Sequence, residues 1–508
     1  MPFTRWRLVL LAVLAVSVCL PARGVSKAPA IPALTPDAVT HHRLLLDGRT
    51  LAYTARAGTI TLRNGADEPT ARVFYTAYTL DGADPSKRPI TFLYNGGPGS
   101  STMWLRMGSF GPVRVVTGDG SLTGPPPYRL VDNQYSLLDR TDLVFIDMPG
   151  SGFGRFIGAG TRKDFWGVDQ DVAAFAQFIQ RYITNFNRWN SPRFLFGESY
   201  GTMRSSALSK YLQDEGIGLN GIVLLSSFLN SNIDYNDGAP VGGGDWAYIL
   251  YLPTEAATAW YHHALSHPPP LDTLLSEVES FGLSEYLDAL AQGAQLPPNR
   301  FNDIVAKLHE YTGLSEQYIR RSNLRIPYDR FENELLRDRG LTVGRIDSRF
   351  QTYVLDRPEV SPDWDATDAA IDSVFVSTVN YYLRQVLKYN TPLLYRAQIY
   401  DLIFADGETW DFKHGPNVQT LNVTPDLAQA MTYNPRLKIF SGNGYFDFAT
   451  PFFATEYALN HLYLSAALQR NITYGFYESG HMVYLHPPAL ARFHADLERW
   501  YARVLSNA

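Results

Sequence analysis

The chain has 508 residues, 45% hydrophobic and 19% charged, a composition that excludes a disordered or fibrous polymer and allows a large buried core. Lys and Arg number 44 against 50 Asp and Glu, giving a net charge of −6 with no basic block, which argues against general nucleic-acid binding. A single cysteine, Cys19, permits neither an intrachain disulfide nor a thiolate zinc site.

Residues 1–24 read as a secretory signal. Arg5 and Arg7 supply a positive start, Leu8 to Leu20 an apolar run, and Ala22 and Gly24 the small residues of a cleavage site. The run is short for a membrane span, and bulky Val18 ahead of Cys19 disfavours a lipid anchor. Cleavage would discard Cys19 and leave no stable membrane insertion. Pro29, Pro32 and Pro36 make residues 25–36 a stiff linker.

The next stretch predicts an antiparallel meander: Leu44–Leu46, Leu51–Tyr53, Thr59–Leu62 and Val73–Tyr78, parted by Asp47-Gly48, Gly58 and Asn64-Gly65. The pattern then turns to short apolar runs followed by Gly-rich loops or helical stripes. These runs are Ile90–Tyr94, Leu143–Asp147, Phe194–Phe196, Ile222–Ser226, Leu437–Ser441 and Ile472–Tyr477. Val172, Phe175, Phe178 and Ile179 form one stripe of a helix over Val168–Tyr182. Strand and helix in alternation predict an α/β protein with a mostly parallel mixed sheet and helices on both faces. Residues 231–429 break the rhythm and are read as a helix-rich insertion. The core is then expected in two parts, 37–230 and 430–508.

Phe194-Leu195-Phe196 runs into Gly197-Glu198-Ser199-Tyr200-Gly201, a Gly-x-Ser-x-Gly motif between a strand and a helix. That setting puts Ser199 on a sharp turn with its hydroxyl projecting into a cleft, and aims helical N–H groups at developing negative charge. Such a serine needs a base and the base an orienting acid. His481 follows the late strand Ile472–Tyr477, and Asp447 follows Leu437–Ser441, in the order serine, acid, histidine. His486 is the rival base. Asp147 is the rival acid, read as a loop anchor because it precedes the serine. The pairs His41-His42 and His262-His263 look surface-like. Asn95-Gly96-Gly97-Pro98-Gly99-Ser100-Ser101 is a second Gly-rich loop after a strand. It suits a second oxyanion donor beside the Tyr200 N–H, and it lacks the Lys and spacing of a phosphate loop. Asn232–Gly238 imitates a calcium loop, but its glycine is misplaced and Gly243 stands where the bidentate Glu belongs. No metal motif and no cofactor motif is present.

These segments together resemble the serine carboxypeptidases of the α/β-hydrolase fold, peptidase family S10. The likeness rests on Asn95–Ser101, Asp147–Gly152, Gly197–Gly201, Asp447 and Gly480-His481-Met482 in the family's order. It implies Ser199, Asp447 and His481 as the catalytic triad and Gly97 and Tyr200 as oxyanion-hole donors. Asn95, Gly96 and Glu198 would hold the substrate's terminal carboxylate, Glu198 in its protonated form. The insertion corresponds by position to the family's cap. The implied activity is release of C-terminal residues from peptides or proteins through an acyl-enzyme. The sequence departs from the family at Leu93, Ser100 and Ser109, where Trp, Cys and Glu are common. These departures remove part of the family's carboxylate-binding network, for which Arg106 or a cap residue is the candidate substitute, and the losses at Leu93 and Ser109 keep an esterase or acyltransferase open as an alternative. A non-catalytic exported binding protein is the remote alternative. A cysteine-free mature chain suits a bacterial periplasmic or secreted enzyme.

Overall fold

A computed structural model describes residues 34–234, 244–355, 359–404, 410–415 and 421–506. Residues 1–24, read above as a signal and carrying Cys19, most of the Pro-rich linker and residues 235–243 of the calcium-like run lie outside the described residues. The N-terminal strands β1 (Ala38–Leu46), β2 (Arg49–Arg63) and β3 (Pro69–Leu80) form an antiparallel meander. The sequence pattern split β2 at Gly58. The strand instead runs through it, because the missing Cβ leaves room for the Asp37 carboxylate, whose Oδ1 would stand 2.1 Å from such an atom.

The sheet continues with β4 (Ile90–Tyr94), β5 (Asp142–Ile146), the two-residue β6 (Arg155–Phe156), β7 (Arg193–Ser199), β8 (Gly221–Ser227), β9 (Lys438–Gly444) and β10 (Ile472–Tyr477). Its order is β1-β2-β3-β5-β4-β7-β8-β9-β10, with β6 paired to β3. From β5 to β10 every neighbouring pair on this path is parallel. This is the α/β-hydrolase arrangement, with the antiparallel meander on one flank.

Parallel strands covered on both faces must be apolar on both, and here alternate residues feed two cores. Phe92, Leu195, Ile222 and Ile439 pack on one face with helices α2 (Val168–Asn185) and α3 (Tyr200–Asp214). Leu93, Phe194, Phe196, Val223 and Phe440 pack on the other, against the helix Pro487–Ser506. The short helix α1 (Met103–Gly108) follows the Asn95 loop. Between β8 and β9 the chain leaves the sheet for a run of helices, including Trp246–Tyr261 and Ala366–Tyr381, which are α4 and α5 here.

Two buried charge clusters fix the loops at the strand ends. Asp147, fully buried after β5, accepts from Arg106 Nη2 at 2.8 Å, Thr102 N–H at 2.8 Å and Tyr395 O–H at 3.1 Å. Arg106 also donates to Thr76 Oγ1 and Tyr395. Asp147 is thus a loop anchor, and Arg106 is spent inside the fold. On α3, Arg204 donates to Asp171 at 2.7 Å and to the Asn95 carbonyl at 2.9 Å, with its guanidinium 4.1 Å above the Phe175 ring. Removing one partner of a buried pair strands the other charge. Asp147→Ala is therefore expected to lower the unfolding free energy by about 3–5 kcal/mol, measured by urea denaturation.

Candidate active site

β7 ends directly in α3, and the residue at the junction, Ser199, has φ 62° and ψ −132°. A non-glycine residue there is strained and persists only when its surroundings dictate it. They do so by crowding. A Cβ on Gly197 would stand 2.1 Å from the Gly201 carbonyl oxygen, so the turn closes only with glycine at that position. A Cβ on Gly96 would stand 2.4 Å from the Tyr200 nitrogen, which brings the Asn95 loop against the start of α3. Tyr200 is the first helical residue, so its N–H has no acceptor within the helix. Gly97, at φ 112°, lines the same cleft as Ser199 and Tyr200.

His481 and Asp447 come from the loops after β10 and β9. His481 Nδ1 lies 2.8 Å from Asp447 Oδ2, and both side chains are buried. Thr450 completes the acid loop: its N–H donates to Asp447 Oδ1 at 2.9 Å and its hydroxyl to Oδ2 at 2.7 Å. Burial alone would lower the His481 pKa, but the charge and hydrogen bond of Asp447 outweigh it and raise it. Ser199, His481 and Thr450 share one cleft of about 640 Å³, together with Asn95, Gly96 and Glu198.

Glu198 is buried beside the serine. Its Oε1 accepts from Asn95 Nδ2 at 2.9 Å and from Tyr484 O–H at 3.1 Å, while Oε2 meets no partner among the described residues. Burial pushes the carboxyl up to about 7, with His481 and the two hydrogen bonds offsetting part of that rise. Asn95 is itself fixed, its Oδ1 accepting from Leu105 N–H at 3.0 Å. A protonated Glu198 therefore keeps one O–H free for a ligand.

The structure brings Ser199, His481, Asp447, Gly97, Tyr200, Asn95, Gly96 and Glu198 to one end of the parallel strands. Some sequence expectations need correction. His262 is buried, with Nε2 2.6 Å from the Ser348 carbonyl oxygen, because α4 packs against the 344–350 segment. Arg106 does not reach the cleft, since Asp147 and Tyr395 take its donors. The rival base His486 pairs with Asp119 at 2.9 Å instead. Leu93 and Ser109 are buried in the fold: Leu93 packs on the core beneath the sheet and the Ser109 hydroxyl donates to Leu105 O. Ser100 hydrogen-bonds Tyr400 at 2.7 Å.

Sequence reasoning missed Thr450, Tyr484, Arg345 and Asp368. Thr450 stands three residues after Asp447, a spacing from which its N–H can close a turn onto the carboxylate. Tyr484 stands three residues after His481 in the same loop. Arg345 and Asp368 carry no local signal, because they arrive from 231–429 by tertiary folding alone.

A fold of this kind, with a strained serine between strand and helix and an Asp–His pair at the neighbouring strand ends, defines the α/β-hydrolase class. Residues 51–292 match the family model described as serine carboxypeptidase. Among relatives, it is 28% identical over 185 residues to pheromone-processing carboxypeptidase KEX1 of Cryptococcus gattii, covering 36% of this chain and 26% of that one. It is 29% identical over 171 residues to serine carboxypeptidase-like 33 of Arabidopsis thaliana, covering 33% of each. Carboxypeptidase Y of Saccharomyces cerevisiae is 22% identical over 181 residues, covering 35% of this chain and 32% of that one. The matches thus span about a quarter to a third of these relatives' length. The crystal structure of KEX1(delta)p, a prohormone-processing carboxypeptidase from Saccharomyces cerevisiae, shares the fold, with TM-score 0.53 and 16% identity over 86% of this chain and 89% of that one.

Gly96→Ala tests the packing of the Asn95 loop on Tyr200. Because the nearest atoms are backbone, the added methyl must displace one of the two loops that carry the proposed donors. Activated-ester turnover is expected to fall by about 100-fold or more, while near-UV circular dichroism stays unchanged.

Proposed function

We propose that this protein is a serine carboxypeptidase that releases C-terminal residues from peptides or proteins, without cofactor or metal. The observation that carries the reading is Glu198: a buried carboxyl adjoining the nucleophile turn, held up to about 7, with one oxygen unpartnered. A carboxylic acid donates to a terminal carboxylate where an ionised one would repel it.

In this reading Ser199 Oγ attacks the last peptide carbonyl. His481 takes its proton through Nε2, Nδ1 being given to Asp447, which fixes the tautomer and stabilises the imidazolium. The N–H groups of Gly97 and Tyr200 receive the oxyanion. Asn95, Gly96 and protonated Glu198 hold the substrate's terminal carboxylate. His481 then protonates the leaving amine, and water hydrolyses the acyl-enzyme. Residues 231–429 act as a cap over a core formed by 37–230 and 430–508, after an export signal at 1–24 and a linker at 25–36. Among the described residues no helix is long and apolar enough to cross a membrane. The single Cys19 within the signal supports export to a bacterial periplasm or exterior.

Ser199→Ala is expected to lower kcat for an N-blocked dipeptide by about 10⁴-fold or more, measured by release of the C-terminal residue. Unchanged turnover refutes the mechanism. A second test uses pH. Glu198 binds the carboxylate as the acid, so this contribution is present below its pKa and lost above it. The kcat/KM for a free-carboxylate peptide should fall about tenfold per pH unit above pH 7, measured against its C-terminal amide, whose profile lacks that fall. Equal cleavage of acid and amide at all pH values favours the esterase or acyltransferase reading.

A further inference from the structure

Arg345 is the one Lys or Arg among the described residues that line the cleft. Its backbone is fastened on both sides. The N–H groups of Arg345 and Ile346 donate to Asp365 Oδ2 at 2.8 and 3.0 Å. The Arg345 carbonyl accepts from Phe448 N–H at 3.0 Å, and the Ile346 carbonyl from His481 N–H at 2.7 Å. Ser348 N–H donates to the Phe446 carbonyl at 2.9 Å. The segment 345–348 is therefore strapped to the acid loop and the base loop at once, and the guanidinium leaves that strap at a fixed place in the cleft.

The guanidinium makes no hydrogen bond and no ion pair with the described residues, although the side chain is partly enclosed and, against burial, the charge of nearby Asp365, with smaller contributions from Tyr328, Glu332 and Asp368, holds its pKa up. The carboxylate beside it is already occupied. Asp365 Oδ2 serves the two strap N–H groups, and Oδ1 accepts from the Thr367 and Asp368 N–H groups. Asp368 also lines the cleft, but burial and the neighbouring Asp365 and Asp372 push its carboxyl up, so it gives up its proton late. Burial and Asp365 hold Glu332 up as well. A rigid fork of five donors in a partly dry cleft is costly when unmatched, and a carboxylate matches it with two parallel hydrogen bonds. Glu198, which takes the terminal carboxylate in the reading above, is held by other residues, Asn95 and Tyr484.

We infer that Arg345 is a specificity residue that receives a second substrate carboxylate, the side chain of an Asp or Glu adjoining the scissile bond. This rests on the carboxypeptidase reading for its substrate. No residue of the proposed triad is involved, so the effect falls on KM and on selectivity between substrates.

The test compares N-blocked dipeptides carrying Glu or Gln at either residue flanking the bond, with wild type, Arg345→Gln and Arg345→Lys. Wild type is expected to prefer Glu over Gln by about tenfold or more in kcat/KM at one position, chiefly through KM. Arg345→Gln should bring the ratio near one, and Arg345→Lys should keep part of it, with Ser199 labelling by a fluorophosphonate unchanged in both. Equal Glu and Gln rates in wild type overturn the proposal, as does a preference that survives Arg345→Gln. So does a loss in Arg345→Gln of selectivity for free acid over amide on neutral peptides, which would place Arg345 on the terminal carboxylate. If Arg345→Gln does not fold, an undiminished ratio in Arg345→Lys overturns it. If wild type labels at Ser199 but cleaves no peptide, the carboxypeptidase reading fails separately. Arg345 is then judged by Ser199 acylation from the 4-nitrophenyl monoesters of succinate and butyrate, and equal rates overturn the proposal.

Discussion

The backbone at Ser199 is held in a conformation that an L-residue avoids, and much of the surrounding structure exists to hold it there. β7 must stop and α3 must start within a single residue, so the φ of 62° is not relaxed by a longer loop. Strain of this kind costs on the order of 1–3 kcal/mol and survives only in an over-determined setting. The setting is supplied by three close contacts. Gly197 leaves room for the Gly201 carbonyl where any side chain would collide, Gly96 lies on the Tyr200 nitrogen, and Arg204 ties α3 to Asp171 on α2 and to the Asn95 carbonyl. The same contacts that force the turn also bring the two backbone donors proposed for the oxyanion into one cleft.

The electrostatics of that cleft follow from burial more than from net charge. Two carboxyls on its wall, Glu198 and Asp368, are pushed up by desolvation, while His481 is pulled up by Asp447 against its own desolvation. The result is a site in which proton-holding acids, a paired imidazole and a guanidinium without a hydrogen-bond partner among the described residues face one volume. Glu198 and His481 each favour the other's charged form, a smaller effect than the burial that raises Glu198. An overall charge of −6 says nothing about this arrangement.

Much of the frame was legible before the structure. Short apolar runs at Ile90–Tyr94 and Ile472–Tyr477 are strands at those bounds, the first buried throughout and the second half-buried at the edge of the sheet. The meander was legible from alternation, but its long second strand was not, since Gly58 reads as a break unless Asp37 is known to lie over it. His262 read as a surface residue because nothing in its neighbourhood in sequence reveals that Ser348 folds back onto it. Arg106 read as a possible carboxylate partner because sequence shows a cation but not that Asp147 and Tyr395 surround it.

The sequence by itself determined the strand order in time, the turn at Gly197–Gly201, the Gly-rich loop at 95–101 and the histidine and aspartate that follow the last two strands. Those features are local: each depends on periodicity, on glycine where a side chain cannot fit, or on a residue's place after a strand. The tertiary structure alone decided which side chains share the cleft. The strap at 345–348 lies 90 or more residues from β9 in the chain, far beyond any local pattern, yet its carbonyls fasten both the Asp447 and His481 loops. Tyr484 on Glu198, Thr450 on Asp447 and the place of the Arg345 guanidinium in the cleft are likewise products of packing, where distance and desolvation, not residue type, fix the chemistry.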